Sequence, residues 1–406
     1  MVAAREDPVR LSRVRRRVSN RRFAEVRYPW SAAVERDSPQ PARFYTALIG
    51  QAMRYGLPAT RRPAWAWVLG ARVGAPERAM AGAIRRLPGS ERPDLNDLLD
   101  RVTAAWPDLA ARARNLPPTA PQLSALALQR SAALTVFAFG AGERPLLVLK
   151  IPAAGDDRVD REVQWLEAAE AAGVSPRPLG RLGDARVQEG LPGIPLEVEP
   201  LGPERASSFA WTGALGSAAE GMSRIGAATA KEGPPEEIAE AIGRALEFPD
   251  LDEGARRALA AAWRHVSASD TSVLRHRDTS PQNCLMQHGR LSGVVDWEMA
   301  VARGGPGYDV LNLALSYLEY GVGLTRWSDA RVLATFSAAW RDSGFWHDGR
   351  EAARRAALAA GASEADLEPL EIAFFGSRIG DRLVRPGWHP YGAATAAREL
   401  EVVCRG

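Results

Sequence analysis

The sequence predicts an α+β fold in which a small antiparallel sheet precedes a larger helical part. Short apolar runs separated by turns lie between residues 125 and 190, and they predict strands. Apolar residues at helical spacing dominate from residue 204 onward, apart from a hairpin pattern within residues 276–298. Strands grouped before helices are typical of α+β proteins.

The composition is that of an ordinary globular protein. The 406 residues are 46% hydrophobic and 25% charged, which predicts two or three domains. We expect no transmembrane segment, since no run of about eighteen apolar residues occurs. No apolar segment follows the Arg-rich start, so a secretory signal is not predicted. Only Cys284 and Cys404 are cysteines, too few for a disulfide framework, which predicts a cytoplasmic location.

Charge and proline content separate residues 1–115 from the rest, and Gly193 and Pro195 mark a turn that divides the rest into residues 116–195 and 196–406. Residues 1–115 carry a net charge of +11, and the remainder carries −8, since the whole chain is +3. The Pro-rich stretch 115–122 marks the first boundary. Helical patterns predict a mainly helical extension of unknown role. Nine arginines within residues 1–30 form a basic arm that either touches an anionic surface or partner or is simply a solvated tail.

A scarce lysine stands near the end of a predicted strand. Residues 125–129, 134–139 and 146–151 are short apolar runs, and Lys150 lies in the third. Lys150 and Lys231 are the only lysines beside 50 arginines. A lysine kept at position 150 therefore indicates a task that a planar guanidinium performs poorly, such as fitting a point charge between phosphates and a carboxylate. Lys231 lies in a polar stretch and is interpreted as a surface residue.

A helix and another strand follow Lys150. The spacing of apolar residues predicts a helix over residues 160–173 that carries Glu162 in its first turn. Residues 186–190 predict a further strand. The acidic residues Glu236, Glu237 and Glu240 begin a later helix and are interpreted as a solvated face, the alternative being a position near a cationic substrate.

Four polar residues surround the predicted hairpin: His276, Asp278, Asn283 and Asp296. Asn283 lies five residues after Asp278, and Asp296 lies thirteen after Asn283. Two short strands around a tight turn would return Asp296 to the neighbourhood of Asn283. Two oxygen ligands beside a third carboxylate suit a hard cation and a hydroxyl to be deprotonated. Phosphoryl transfer requires this arrangement.

The pattern H-x-D-x-x-x-x-N followed by D-W-E resembles the aminoglycoside phosphotransferase and choline kinase family, whose fold is bilobal and protein-kinase-like. The resemblance implies that Asp278 accepts the acceptor's proton and that His276 orders the catalytic loop. It implies Asn283 and Asp296 as magnesium ligands. It also implies that Lys150, oriented by Glu162, contacts the phosphates of ATP or GTP.

Further nucleotide contacts follow from the same resemblance. Ser131 lies in the loop expected to cover the phosphates, and Glu189 and Leu191 are approximate positions of the hinge between lobes. Asp309 matches an aspartate that we expect to brace the catalytic loop. Glu298 is expected either to assist the metal or to brace the loop.

The chain departs from the family pattern at two places. The phosphate-covering loop, residues 129–133, contains no glycine, and Arg277 stands where small-molecule kinases usually have glycine. His-Arg-Asp is the protein-kinase spelling. Protein kinases, however, have a long activation segment, whereas Asp296 and Asp309 are only thirteen positions apart. This spacing favours a small acceptor.

The predicted function is transfer of the γ-phosphate of ATP, with Mg²⁺, to a hydroxyl of a small metabolite such as an amino sugar, a sugar or a choline-like alcohol. Antibiotic modification is a narrower form of this prediction. The alternative from another class is a pseudokinase or nucleotide-binding scaffold without turnover, which the glycine-free loop favours and the intact Lys, Asp, Asn and Asp set opposes.

Overall fold

The computed structural model describes residues 65–69, 95–130, 133–141, 144–152, 157–198, 210–322, 329–384 and 392–405. None of the helices within these ranges is long and apolar enough to cross a membrane. The predicted α+β class is confirmed, because an antiparallel sheet comes first and most of the later chain is helical.

A six-stranded antiparallel sheet forms the smaller part of the molecule. Its order is β1-β2-β3-β4-β6-β5, and the three strands predicted before residue 151 are confirmed as β2, β3 and β4. The strand at residues 65–69 was not predicted and pairs with β2. The strands are β1 (Trp65–Leu69), β2 (Ser124–Arg130), β3 (Ala133–Phe139), β4 (Pro145–Pro152), β5 (Pro178–Leu182) and β6 (Ala185–Glu189).

Two short helices cover one face of this sheet. They are α1 (Leu95–Ala104) and α2 (Trp106–Arg112). Their buried Val102 and Trp106 share one apolar core with Leu147 and Leu149 of β4. The described helices of the N-terminal extension thus pack on the sheet, while a domain division at residue 115 stays a prediction.

Helix α3 (Arg158–Ala169) joins the sheet to the larger part. The predicted helix over residues 160–173 is confirmed; it continues as a 3₁₀ turn, and Gly173 ends it with φ 70°. Leu166 and Ala169 are buried in the large core, whereas Glu162 is buried and faces Lys150. Alternation along β4 explains this pairing, since Leu149 enters the small core and Lys150 points to the opposite face.

The larger part consists of helices around one extensive apolar core. Two three-stranded sheets, β11-β10-β7 and β12-β9-β8, carry the hairpin and its neighbours. The strands are β7 (Ile194–Pro195), β8 (Lys231–Glu232), β9 (Thr271–Arg275), β10 (Cys284–Gln287), β11 (Arg290–Val294) and β12 (Val301–Gly304). The helices are α4 (Gly213–Ala228), α5 (Ala239–Leu246), α6 (Glu253–Val266), α7 (Tyr308–Val322), α8 (Asp329–Asp342), α9 (Gly344–Ala359), α10 (Leu367–Val384) and α11 (Ala393–Arg405).

Candidate active site

The side chains of Lys150 and Glu162 form a buried ion pair. The Nζ atom of Lys150 lies 2.6 Å from Oε1 and 2.7 Å from Oε2 of Glu162. Glu162 is only 2% exposed, and its Oε1 also accepts a 3.4 Å hydrogen bond from the backbone N–H of Trp297. Burial lowers the pKa of Lys150, but the nearby Glu162 and Asp296 carboxylates outweigh burial and raise that pKa above its ordinary value. Lys150 is therefore a fixed positive charge.

Asp296 lies next to this pair. Its Oδ1 atom is 3.4 Å from Nζ of Lys150. Asp296 directly follows the hairpin of β10 and β11, and its φ of 69° lies in the left-handed region, which aspartate tolerates better than most residues. This conformation turns the chain sharply after β11 and directs the carboxylate toward β4.

The hairpin brings Asp296 back beside Asn283, as the sequence predicts. The backbone N–H of Val295 donates to the carbonyl of Asn283 over 2.9 Å. The amide nitrogen of Asn283 donates to the backbone carbonyl of Asp278 at 2.7 Å and to its Oδ2 at 3.2 Å. The amide oxygen of Asn283 takes part in neither of these bonds.

The donor set fits a hard divalent cation. Asn283 and Asp296 supply an amide oxygen and a carboxylate, and Mg²⁺ commonly takes one or two such protein ligands with phosphate and water oxygens. Among the described residues, no three His, Cys, Asp or Glu side chains are placed to hold a metal ion by themselves. A cation between Asn283 and Asp296 would therefore be completed by oxygens of a bound phosphate.

His276 organises the loop that carries Asp278. It is fully buried; its Nε2 lies 3.0 Å from the carbonyl of Val295, and its Nδ1 accepts a 3.3 Å hydrogen bond from the N–H of Asp278. A carbonyl only accepts and a backbone N–H only donates, so both bonds require a neutral imidazole protonated on Nε2. The ring also packs edge-on against Trp297. These contacts join the loop to the end of the hairpin, and the role of His276 in the reaction stays a prediction.

Asp309 also holds the backbone of the loop 276–283, which confirms its predicted structural role. Its two carboxylate oxygens accept hydrogen bonds from the backbone N–H groups of His276 at 2.7 Å and Arg277 at 3.1 Å. The hydroxyl of Thr279 donates to the backbone carbonyl of Asp309 at 2.9 Å. Asn312 extends the brace by donating to the carbonyl of Thr279 at 3.1 Å.

An ion-pair cluster behind the loop was missed at the sequence level. The interpretation of Glu237 as a solvated residue is wrong, because its side chain is 5% exposed and accepts a hydrogen bond from Arg275. Glu236 and Glu240 are exposed, as expected. The local sequence does not separate Glu237 from its exposed neighbours, because its partner Arg275 lies 38 residues later in the chain.

The contacts of Arg277 account for the departure from the family pattern at this position. Its φ of 67° lies in the left-handed region that glycine adopts most easily. The guanidinium lies 3.4 Å from a carboxylate oxygen of Glu237 and 3.4 Å from one of Asp381. An arginine at this position forms two ion pairs that glycine cannot form.

The predicted hinge residues differ in their contacts. Leu191 packs so tightly on β11 that a Cβ on Gly293 would lie 2.1 Å from its Cδ1, which explains glycine there. Glu189 is 2% exposed, and its carboxylate binds the backbone of Arg114 and Asn115. Ser131 lies outside the described residues. Nucleotide contacts by these three residues stay predictions.

Glu298 interacts electrostatically with Lys150 and Asp296, and the region around these residues and Glu162 is called the cleft below. Burial and the neighbouring Asp296 raise the pKa of its carboxyl, although Lys150 and Arg158 act in the opposite direction. Lys150 thus faces carboxylates from three places in the chain, namely α3, the end of the hairpin and the turn after it.

The family model described as the phosphotransferase enzyme family matches residues 124–355, more than half of the chain. The chain belongs to this family. The match begins at β2 and contains every candidate site residue named above. The resemblance inferred from the motif is thereby confirmed, and the protein is a small-molecule phosphotransferase with a kinase-like fold.

Solved structures similar to this phosphotransferase include a macrolide 2'-phosphotransferase from Brachybacterium faecium, at 17% identity and a TM-score of 0.41, covering 75% of this chain and 97% of the other. A choline/ethanolamine kinase family protein from Mesorhizobium loti has 19% identity and a TM-score of 0.42, with coverage of 77% and 100%. A thermostable mutant of aminoglycoside phosphotransferase APH(4)-Ia with ADP and hygromycin B has 17% identity, a TM-score of 0.43 and coverage of 71% and 94%. A comparison with curated proteins found no match.

Proposed function

We propose that this phosphotransferase moves the γ-phosphate of ATP to a hydroxyl group of a small metabolite. The observation that carries the proposal is the Lys150–Glu162 ion pair, whose ammonium lies 3.4 Å from Asp296 at the end of the hairpin. A buried, permanently charged lysine next to a carboxylate suits the binding of polyphosphate. GTP has the same phosphates and is the alternative donor.

Lys150 binds the α- and β-phosphates in this proposal. Glu162 holds the ammonium with both carboxylate oxygens, so little side-chain freedom remains to be lost on binding. Asn283 and Asp296 hold Mg²⁺, which, when bound, neutralises charge on the phosphates. Leu191 and the residues around it receive the base at the hinge, and Ser131 lies in the loop over the phosphates.

Asp278 orients the acceptor and takes its proton. The oxygen of the acceptor hydroxyl bonds to the γ-phosphorus, the bond from that phosphorus to the bridging oxygen of ADP breaks, and the hydroxyl proton passes to the Asp278 carboxylate. Asn283 fixes Asp278 through its amide, and His276 fixes the backbone of Asp278. The main contribution of Asp278 is therefore positioning.

A small acceptor is favoured over a protein. The chain passes from Asp296 through a 3₁₀ turn and the short strand β12 directly into α7 at Tyr308. This connection has no room for a long activation segment. We expect a hydroxylated metabolite such as an amino sugar, a sugar or a choline-like alcohol.

The Asp278→Asn variant tests the mechanism. We expect turnover to fall by about 10²–10⁴-fold, because the amide cannot accept the proton. The affinity for Mg·ADP, measured by calorimetry, should stay within about twofold, because Asp278 faces the acceptor. The matched control is Asp348→Asn on the exposed side of α9. Turnover is measured as ADP release against a panel of hydroxylated metabolites.

Two results would oppose the proposal. Unchanged turnover in Asp278→Asn would remove Asp278 from the mechanism. A wild-type protein that binds nucleotide without dependence on Mg²⁺ and transfers no phosphate to any acceptor would support the scaffold alternative.

A further inference from the structure

A buried glutamate at the end of β6 binds the N-terminal extension instead of facing the cleft. The Oε1 atom of Glu189 accepts a 2.6 Å hydrogen bond from the backbone N–H of Asn115, and Oε2 accepts one of 3.3 Å from Arg114. The side chain is 2% exposed. Both carboxylate oxygens are thus satisfied by two successive N–H groups of the segment that follows α2.

We propose that Glu189 is a positioning residue for the nucleotide site, fastening the segment 114–115 to the hinge so that β4 and α3 keep their binding geometry. This inference rests on the proposed function. It assigns a role to the junction between the extension and the sheet, where the sequence predicted a linker.

The end of β6 is locked to the strand that carries Lys150. Glu189 pairs with Leu147 of β4, and the N–H of Gly190 donates to the carbonyl of Leu146 over 2.8 Å. A Cβ on Gly190 would lie 2.0 Å from the carbonyl oxygen of Pro145, so the two backbones are in close contact. Any displacement of Glu189 is therefore transmitted to β4.

The same segment also reaches helix α3, which carries Glu162. A guanidinium nitrogen of Arg114 lies 3.4 Å from Oε1 of Glu170, at the C-terminal end of α3, and Arg177 contacts that oxygen at 2.9 Å. The backbone N–H of Glu189 donates to the carbonyl of Arg177 at 2.9 Å. Residues 114–115 thus touch α3 through an exposed bridge and β6 through the buried Glu189 carboxylate, and the buried contact is the one that carries the inference.

The packing of α2 also connects the segment 114–115 to the sheet. Trp106 of α2 donates from its indole nitrogen to the carbonyl of Pro117 at 2.9 Å, and Arg112 donates to the carbonyl of Leu179 on β5 at 3.2 Å. Trp106 shares the small core with Leu147 and Leu149. The extension therefore supports the back of the strand whose front presents Lys150.

The carboxylate is needed because both of its partners are donors. In Glu189→Gln one oxygen is replaced by an NH₂ group, which must face an N–H and leaves it without an acceptor. We expect the Kd for Mg·ADP and the KM for ATP to rise about tenfold, with kcat at saturating ATP within about twofold. A role confined to folding would lower the melting temperature and leave both constants of the folded protein unchanged.

Arg114→Ala is the matched control. It removes the bridge between Arg114 and Glu170 and keeps both backbone N–H donors to Glu189. Both side chains of that bridge are about one-third exposed, so we expect the Kd for Mg·ADP to stay within about twofold.

A measurement on the wild-type protein avoids any folding defect. Coupling between two sites is reciprocal, so Mg·ADP must slow hydrogen exchange at the amides of Arg114 and Asn115 if Glu189 links them to the nucleotide site. Unchanged exchange together with an unchanged Kd in Glu189→Gln would overturn the inference while leaving the proposed function intact. A wild type that does not bind Mg·ADP would instead contradict the proposed function itself.

Discussion

Two buried ion pairs flank the loop 276–283, and they differ in what surrounds the cation. Lys150 pairs with Glu162 at the cleft side, where its side chain is 13% exposed and also lies 3.4 Å from Asp296. Arg275 pairs with Glu237 behind the loop and is 7% exposed. Arg275 has two further protein neighbours, since it lies 3.7 Å from Asp309 and 5.1 Å above the ring of Tyr308.

The same balance between burial and nearby carboxylates therefore occurs at two sites that have different roles. For each cation, burial lowers the pKa, and nearby carboxylates outweigh burial and raise it. A guanidinium satisfies several protein partners at once and stiffens the structure, whereas an ammonium leaves room for a ligand between itself and a carboxylate. In a chain with two lysines and 50 arginines, Lys150 lies in the cleft and Arg275 lies behind the loop 276–283.

Exchanging the cation in the cleft should produce the largest effect. We expect Lys150→Arg to lower kcat/KM about 100-fold or more, because the planar guanidinium does not fit between Glu162 and the phosphates. The free energy of unfolding should change by only about 1 kcal/mol, because the positive charge beside Glu162 remains. Steady-state kinetics and chemical denaturation measure the two quantities. An active Lys150→Arg enzyme would remove the distinction between the two sites.

The reverse exchange at Arg275, behind the loop 276–283, should lower the stability of the protein instead of its activity. We expect Arg275→Lys to lower the free energy of unfolding by about 1–3 kcal/mol, because the ammonium cannot keep Glu237, Asp309 and the ring of Tyr308 together. Catalysis per folded molecule should stay within a few-fold, since Arg275 lies behind the loop. A urea titration combined with kinetics at low temperature separates these effects. A large loss of kcat without loss of stability would contradict the structural assignment.

An exposed pair near the same cluster should matter least. Arg303 lies 3.3 Å from Glu236, and their side chains are 42% and 67% exposed. We expect Arg303→Met to change the free energy of unfolding by less than about 0.5 kcal/mol, because water and salt screen the pair. The same urea titration measures it. A loss as large as that of Arg275→Lys would show that burial is not what separates the pairs.

Local patterns were sufficient for much of the fold and for placing the site residues in the chain. The strands β2 to β4, the helix α3 and the hairpin of β10 and β11 each have a clear apolar period or turn signal. Spacing along the hairpin also brought Asp296 back to Asn283. The assignment of Lys150 depended on composition as well, because a rare lysine in an Arg-rich chain carries more information than a common one.

Long-range contacts could not be read from such patterns. Glu237 looked like its exposed neighbour Glu236, because nothing adjacent in sequence indicates that Arg275, 38 residues later, fills the space beside it. The contact of Glu189 with residues 114–115 spans more than 70 positions. The left-handed backbone at Asp296 and Arg277 likewise depends on the packing of the surrounding elements.

The sequence by itself determined the class of fold, the family and the order of the chemically active residues, because periodicity, rare residue types and short motif spacings are local properties of the chain. Tertiary structure alone decided which carboxylates are buried against a cation, which backbone N–H groups hold the loop, and that residues 114–115 are bonded to Glu189 at the end of β6. These properties depend on segments far apart in the sequence sharing one low-dielectric interior, where an unpaired charge or donor is costly.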